Sequence, residues 1–193
     1  MMGLHRRLLA VAFGLPLVTA VLLVPVADAQ DEAPVMQEDA AAVERLTAHI
    51  AETWKTPLPA AQRIVEAAFS QAQLQRISPT LILAVVAQES SFKPTARSSY
   101  GAEGLMQVSA RHHPDKLKGL RRDALLKPET NIRVGTQVLA EYLEQHNGRL
   151  DQALRKYSGN ASSYPRKIRA FWARLEQVRR TASFDSAARP RNV

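Results

Sequence analysis

Apolar residues recur at intervals of three and four positions in six segments of the chain, which is the spacing of one face of an α-helix. The predicted helices cover residues 39–55, 59–74, 79–89, 128–146, 150–157 and 164–180. Proline stands in the first turn of the second and third of these helices, where its missing N–H is not needed. No segment alternates between apolar and polar residues over the length of a strand. The pattern therefore predicts an all-α domain.

The connection between the third and fourth helices is predicted to be irregular for most of its length. A polar loop at residues 93–100 is followed by Gly101 and Gly104, positions that tolerate a positive φ or a close approach of the backbone. Residues 105–108 are predicted to form a short helix. Residues 111–122 are basic and show no periodicity.

A glutamate interrupts the apolar face of the third predicted helix, which Ser78 and Pro79 begin as cap and first residue. Glu89 follows Val85 by four positions and Ile82 by seven, so it continues their stripe. Burial of a carboxyl raises its pKa, and the nearby C-terminal end of the helix also disfavours a negative charge. The position predicts an acid that stays protonated near neutral pH, as a general acid must. In the alternative, the helix ends one residue earlier and Glu89 points into solvent.

The N-terminal residues have the composition of a secretory signal peptide. Residues 1–7 are basic, residues 8–26 are almost entirely apolar, and Ala27-Asp28-Ala29 is a small-x-small cleavage site. We expect cleavage after Ala29 and hence no permanent membrane span; an uncleaved anchor is the alternative, because the apolar run can cross a bilayer. The predicted organisation is a signal peptide at 1–29, a flexible leader at 30–38, one domain at 39–180 and a disordered basic tail at 181–193.

The composition narrows the possible functions. The chain has no cysteine, so thiol catalysis, disulfides and cysteine-ligated metal sites are excluded. Its formal net charge of +8 would steer an exported protein towards anionic polymers such as cell-wall peptides and envelope phosphates. The alternative is that the charge serves solubility alone. Nucleic acid is not expected as a partner of an exported chain.

Three ordered motifs resemble the soluble lytic transglycosylase family. They are Glu89-Ser90-Ser91-Phe92 with Ser98 and Gly101-Ala102-Glu103-Gly104-Leu105-Met106-Gln107, then Asn131-Ile132-Arg133-Val134-Gly135, then Ala153-Leu154-Arg155-Lys156-Tyr157. The resemblance covers residues 71–175 and implies a helical, goose-type lysozyme-like fold with a substrate cleft. It further implies peptidoglycan glycan strands as the substrate and no metal or organic cofactor. Export to the periplasm or cell envelope is expected from the signal peptide. An envelope or secretion machine is a further partner that the sequence leaves open.

The resemblance also implies roles for individual residues. Glu89 would be the general acid and base that cleaves the bond between N-acetylmuramic acid and N-acetylglucosamine, leaving a 1,6-anhydro end. The substrate-binding residues implied are Ser98, Met106, Gln107, Asn131 and Tyr157. Each has a structural alternative: a turn-forming serine, a core methionine, a glutamine on a helix surface, an asparagine that begins a helix and a core tyrosine.

Hydrolysis of a glycosidic bond ordinarily requires a second carboxylate. The candidates are Glu103, Asp115, Asp123 and Glu129, and nothing in their surroundings predicts burial. One glutamate is therefore expected to suffice, as in the family's substrate-assisted reaction. A hydrolytic muramidase of the same fold and a non-catalytic wall-binding module remain the alternatives.

Two features of the sequence stand apart from these motifs. His112 and His113 are adjacent, so they are poorly placed to bind one metal ion together, and a position at the rim of the cleft is expected instead. The chain also departs from many relatives, which have a Met-Pro pair near residues 108–110 and Asn-Ala-Gly at residues 158–160. The first departure puts one contact of the cleft wall in doubt.

Overall fold

The computed structural model describes residues 32–121 and 123–181, with side chains from residue 39 onwards. The predicted signal peptide at 1–29 and all but the first residue of the predicted tail lie outside the described residues. The described chain forms six helices: α1 (Glu32–Trp54), α2 (Leu58–Gln75), α3 (Pro79–Ser90), α4 (Pro128–Gln145), α5 (Leu150–Tyr157) and α6 (Tyr164–Arg180). It also forms two short 3-10 helices, Asp115–Leu117 and Ala124–Leu126. The prediction of an all-α domain is confirmed.

Helix α3 is the central element of the domain. Every side chain at residues 81–87 is buried, and the helix packs against α2 and α6. A helix that is apolar all round is stable only when neighbours cover it on every side. Pro79 occupies its first turn and Ser91 ends it in the left-handed conformation, with φ of 51°. The Ser78 hydroxyl lies at the N-cap but pairs with the Thr80 hydroxyl at 2.7 Å and makes no capping hydrogen bond.

The remaining helices pack on α2 and α6, the two helices that contact α3, and on one another. Helix α1 packs against α2 and α6, whereas α4 packs against α2 and α5. An aromatic cluster joins the end of α1 to the loop after α3, because the Trp54 and Phe92 rings lie 4.7 Å apart between centroids. Phe92 is 1% exposed, so it fixes the chain directly after Glu89 against the core. The contact between Trp54 and Phe92 thereby holds the end of α3 against the end of α1.

Two predictions about local structure are wrong. Helix α1 begins at Glu32, so residues 32–38 are helical and do not form the predicted flexible leader. Pro34 falls in the first turn, where a missing backbone N–H costs no hydrogen bond. The short helix predicted at residues 105–108 is a turn instead, because Gly104 and Gln107 both have positive φ, 77° and 48°.

This turn closes a small antiparallel hairpin of β1 (Ala102–Glu103) and β2 (Val108–Ser109). Ala102 pairs with Ser109 and Glu103 pairs with Val108. Arg97 adds an isolated bridge on the other side of Glu103. The motif that follows Glu89 thus forms a compact folded loop over the end of α3 and the start of α4.

No helix within residues 32–121 and 123–181 is both long enough and apolar enough to cross a bilayer.

Candidate active site

Glu89 lies in the last turn of α3 and lines an open cleft of about 480 Å³. The helix continues to Ser90, and the Glu89 carboxyl accepts a hydrogen bond from the Tyr164 hydroxyl. The alternative in which the helix stops early and Glu89 points into solvent is therefore wrong. Residues from four parts of the chain meet at this cleft: Glu89, Ser98, Gln107, Tyr157, Tyr164 and Lys167.

The surroundings of Glu89 favour its protonated form. Burial raises the pKa of the carboxyl above its ordinary value, and the hydrogen bond from Tyr164 lowers it by a smaller amount. The pKa rises because the ionised carboxyl loses water on burial and has no ion-pair partner among the described residues. The site therefore holds a carboxyl group that keeps its proton to higher pH than an exposed glutamate does and is hydrogen-bonded by Tyr164 once the proton is lost.

Two stacked tyrosines form one wall of the cleft. The rings of Tyr157 and Tyr164 lie 6.5 Å apart between centroids with an interplanar angle of 20°. Tyr164 is 6% exposed, and burial raises the pKa of its hydroxyl far above the ordinary value, so it remains a hydrogen-bond donor. The Tyr157 hydroxyl was expected to approach Glu89 or the substrate, but it donates to the backbone carbonyl of Met106 at 2.8 Å. Tyr164 makes the contact with Glu89 instead.

Met106 and Asn131 lie beneath the cleft and offer no surface to a substrate, since both are 0% exposed. The Asn131 side chain accepts from the Met106 N–H at 2.7 Å and donates to the carbonyls of Glu103 and Leu125, both at 2.8 Å. The prediction that Met106 and Asn131 contact the substrate is therefore wrong. Asn131 satisfies three backbone groups of the hairpin and its surroundings, and so it holds the loop in place.

Ser98 and Gln107 line the cleft beside Glu89, and both also support the loop that carries them. The Ser98 hydroxyl accepts from the Ala102 N–H at 3.0 Å. The Gln107 side-chain nitrogen donates to the carbonyls of Ala96 at 3.2 Å and Gly104 at 3.0 Å. These two bonds fix the orientation of the Gln107 amide and leave its oxygen available as an acceptor.

Comparison with known proteins decides the family. A family model described as the transglycosylase SLT domain matches residues 66–177, more than half of the chain. The chain belongs to this family. The "soluble lytic murein transglycosylase" of Salmonella typhimurium is similar to it, with 37% identity over 78 residues. That match covers 37% of this chain and 12% of the relative, so the chain corresponds to a small part of the relative's length. The family predicted from the three motifs is confirmed.

The four carboxylates considered above as a second acid do not line the Glu89 cleft, and each has a cationic partner. Glu129 forms two hydrogen bonds with Arg63, at 2.8 and 3.1 Å, which lower the pKa of the glutamate. The remaining pairs are Asp115 with Lys116 at 3.0 Å, Glu103 with Arg97 at 3.4 Å and Asp123 with Arg121 at 3.4 Å. Among the described residues that line the cleft, Glu89 is the sole carboxyl group.

The two adjacent histidines line a smaller pocket of about 170 Å³ next to the SLT cleft. Gln107 and Tyr157 belong to the walls of both depressions. This arrangement agrees with the expected position at the rim. Burial, with a smaller contribution from the charge of Lys116, lowers the pKa of His113 below its ordinary value.

Tyr164 was not among the residues that the sequence indicated. It is the first residue of α6 and reaches Glu89 across 75 positions of sequence, because α6 packs along α3. The signal that was available is a bulky hydroxyl residue directly before Pro165, after the polar segment that follows the third motif. This signal marks the start of a helix, but it neither places the tyrosine near the cleft nor identifies its partner.

Proposed function

We propose that this SLT-domain protein is an exported peptidoglycan lytic transglycosylase. It would cleave the β-1,4 bond between N-acetylmuramic acid and N-acetylglucosamine and leave 1,6-anhydro-N-acetylmuramic acid ends. The observation that carries the proposal is the half-buried Glu89, whose raised pKa and position in an open cleft fit a general acid. Family membership and the similarity to a protein named as a murein transglycosylase support it.

In the first step, protonated Glu89 would give its proton to the glycosidic oxygen as the bond from that oxygen to C1 breaks. The acetamido group of the substrate would stabilise the positive charge that develops at C1, which is the substrate-assisted route. This route needs no second carboxylate, and Glu89 is without one among the described residues of the cleft.

In the second step, the same carboxylate would take the proton from the C6 hydroxyl while that oxygen attacks C1. The 1,6-anhydro ring closes, and Glu89 returns to its protonated form. The hydrogen bond from Tyr164 is best matched to the ionised carboxylate that exists between the two steps. One residue thus acts as acid and then as base, and the proton count balances without water.

The surrounding residues would position the sugar. Two hydrogen bonds from the Gln107 amide nitrogen fix the orientation of the amide. Its oxygen can therefore accept a hydrogen bond from an acetamido N–H or a hydroxyl of the sugar. Ser98 lines the same cleft and can hydrogen-bond to a sugar hydroxyl with its remaining capacity. Tyr157 would present its ring to the sugar. Met106 and Asn131 would act indirectly, because they shape the loop from below.

The proposed setting of the reaction is the periplasm or cell envelope. The signal peptide expected at residues 1–29 would deliver the chain there, and the domain at 39–180 would act on glycan strands. The net charge of +8 would favour association with an anionic wall.

Product analysis tests the proposed function. Purified protein is incubated with isolated peptidoglycan sacculi, and the released fragments are identified by mass spectrometry and by reducing-end assay. We expect anhydro-muropeptides without new reducing ends. New reducing ends in their place would show a hydrolytic muramidase, and sacculi that are bound but not cleaved would show a wall-binding module.

A substitution at Tyr164 tests how the acid is tuned. In Tyr164→Phe the hydrogen bond that lowers the pKa of Glu89 is lost, so this pKa should rise further. Because protonated Glu89 begins the reaction, the alkaline limb of kcat/KM against pH should move to higher pH. The value of kcat should fall, since the carboxylate formed in the first step loses a donor.

Tyr157→Phe is the matched control for this substitution. Its hydroxyl donates to the Met106 carbonyl and not to Glu89, so the alkaline limb should stay where it is in the wild type. An unchanged limb in Tyr164→Phe, or an equal shift in both variants, would contradict the role given to Tyr164.

A further inference from the structure

The pocket that adjoins the Glu89 cleft has a distinct chemical character. Its walls include His112, His113, Tyr142 and Lys156, and it is joined to the cleft through Gln107 and Tyr157. Its volume of about 170 Å³ is below the roughly 300–1,000 Å³ of common small-molecule sites. The pocket therefore suits a side group of a larger substrate and not a whole disaccharide.

One cation in the lining of this pocket has no acidic partner among the described residues. Lys156 lines it and forms no ion pair within the described residues, and its ammonium lies 5.9 Å from the centroid of the Tyr142 ring. Lys116 stands nearby but is neutralised by Asp115 and Glu141. No acidic residue is found in the described lining of the pocket. A group that carries a negative charge would find an unpaired cation there.

The histidine wall is held against α4 by the same network. The Lys116 side chain is 9% exposed and donates to Glu141 on α4 and to Asp115 in its own segment. The His113 ring lies 6.4 Å from the Tyr142 ring, between centroids. Since Lys116 fixes the segment that carries His113, the imidazole forms a positioned wall that can donate a hydrogen bond.

We propose that this pocket binds a carboxylate of the peptide arm that a muramyl residue carries beside the bond cleaved at Glu89; the inference rests on the proposed function. Lys156 would pair with the carboxylate, His113 would donate a hydrogen bond to it, and Tyr142 would contact the small apolar side chains of the peptide. A neutral sugar hydroxyl gives an ammonium no comparable charge pairing, which favours the peptide arm over a further sugar ring.

The experiment compares two substrates. Kinetics are measured on glycan strands that carry their peptides and on strands from which an amidase has removed them. Lys156→Gln should raise KM about fivefold on the peptide-bearing strands with kcat unchanged, as expected for loss of one partly exposed charge pair. On the stripped strands it should equal the wild type. His113→Gln should follow the same pattern.

Arg155→Gln is the control, because Arg155 is the exposed neighbour of Lys156 on α5 and does not line the pocket. It removes the same charge from the protein and should leave KM unchanged on both substrates. A loss in Lys156→Gln that is equal on both substrates would show that the pocket binds the glycan strand itself, including the lactyl carboxylate that the amidase leaves on the muramyl residue. If KM in Lys156→Gln is the same as in Arg155→Gln on both substrates, the pocket binds neither the peptide arm nor the glycan.

A direct titration separates this inference from the proposed function. A soluble muramyl peptide is titrated into the wild type and into Lys156→Gln, and Kd is measured by calorimetry. We expect binding to the wild type and about fivefold weaker binding to the variant. If such binding is seen while no anhydro product is released from either substrate, the proposed function is wrong and the pocket assignment stands. Equal Kd values would overturn the assignment even in an active enzyme.

Discussion

Glu89→Gln should lower the release of anhydro product from sacculi by about a hundredfold or more while the domain stays folded. Glutamine keeps the size of the side chain and can still pair with the Tyr164 hydroxyl, but it can neither give nor accept the transferred proton. Because the same group serves both proposed steps, and no other carboxyl among the described residues lines the cleft, nothing is in place to substitute for it. The measurement is the rate of anhydro-muropeptide release, with circular dichroism to verify folding.

The free energy of unfolding of the wild type, compared with that of Glu89→Gln, should depend on pH in a defined way. Burial raises the pKa of Glu89 in the folded state, so the folded protein holds this proton more tightly than the unfolded chain does. The contribution of Glu89 is therefore most favourable below its unfolded pKa and is lost as pH rises through the folded pKa. Glu89→Gln removes this dependence, and it should be at least as stable as the wild type at alkaline pH in urea denaturation.

Glu103→Gln is the control for activity. Glu103 belongs to the same motif but pairs with Arg97 on another face of the loop and does not line the Glu89 cleft. Its product release should remain close to that of the wild type. Retained activity in Glu89→Gln, or an equal loss in both variants, would remove the basis of the proposed acid.

The helices could be predicted from the sequence because their limits are marked locally. The structure begins and ends α5 and α6 at the predicted residues and ends α4 one residue early. The turn at residues 104–107 could not be predicted in this way. It depends on Asn131, which lies 25 positions later than Met106 and takes up the Met106 N–H that a helix would have used. Local spacing carries no information about such a partner.

The site shows the same division between local and distant information. Glu89 could be predicted because its place on the apolar stripe already implies burial, and the structure brings Ser98 and Gln107 to the same cleft. Motif resemblance did not distinguish residues that line the cleft from residues that hold the loop. Met106 and Asn131 were therefore predicted to bind the substrate although both are fully buried. The Tyr164 contact arises from packing of α6 on α3 and has no local signal.

Gly104→Ala should be among the most damaging single substitutions in the domain. A Cβ at this position would lie 2.2 Å from both the Asn131 side-chain nitrogen and the Leu125 carbonyl oxygen. Neither can move easily, because Asn131 is fully buried and its hydrogen bonds hold the hairpin against α4. Breaking this network should cost about 3–5 kcal/mol in the free energy of unfolding, as large core disruptions do. Activity should fall with it, since the Gln107 amide is oriented by the same loop.

Gly101→Ala separates the steric clash from backbone strain. Gly101 has φ of 83° and Gly104 has φ of 77°, but a Cβ at Gly101 would meet nothing within 4 Å. Both substitutions force alanine into the left-handed region, at a cost of about 1–2 kcal/mol. Urea denaturation should therefore show only this cost for Gly101→Ala and a distinctly larger one for Gly104→Ala. If both variants lose the same stability, the positive φ alone explains why glycine is needed at both positions. Close packing against Asn131 would then not be what holds the hairpin in place.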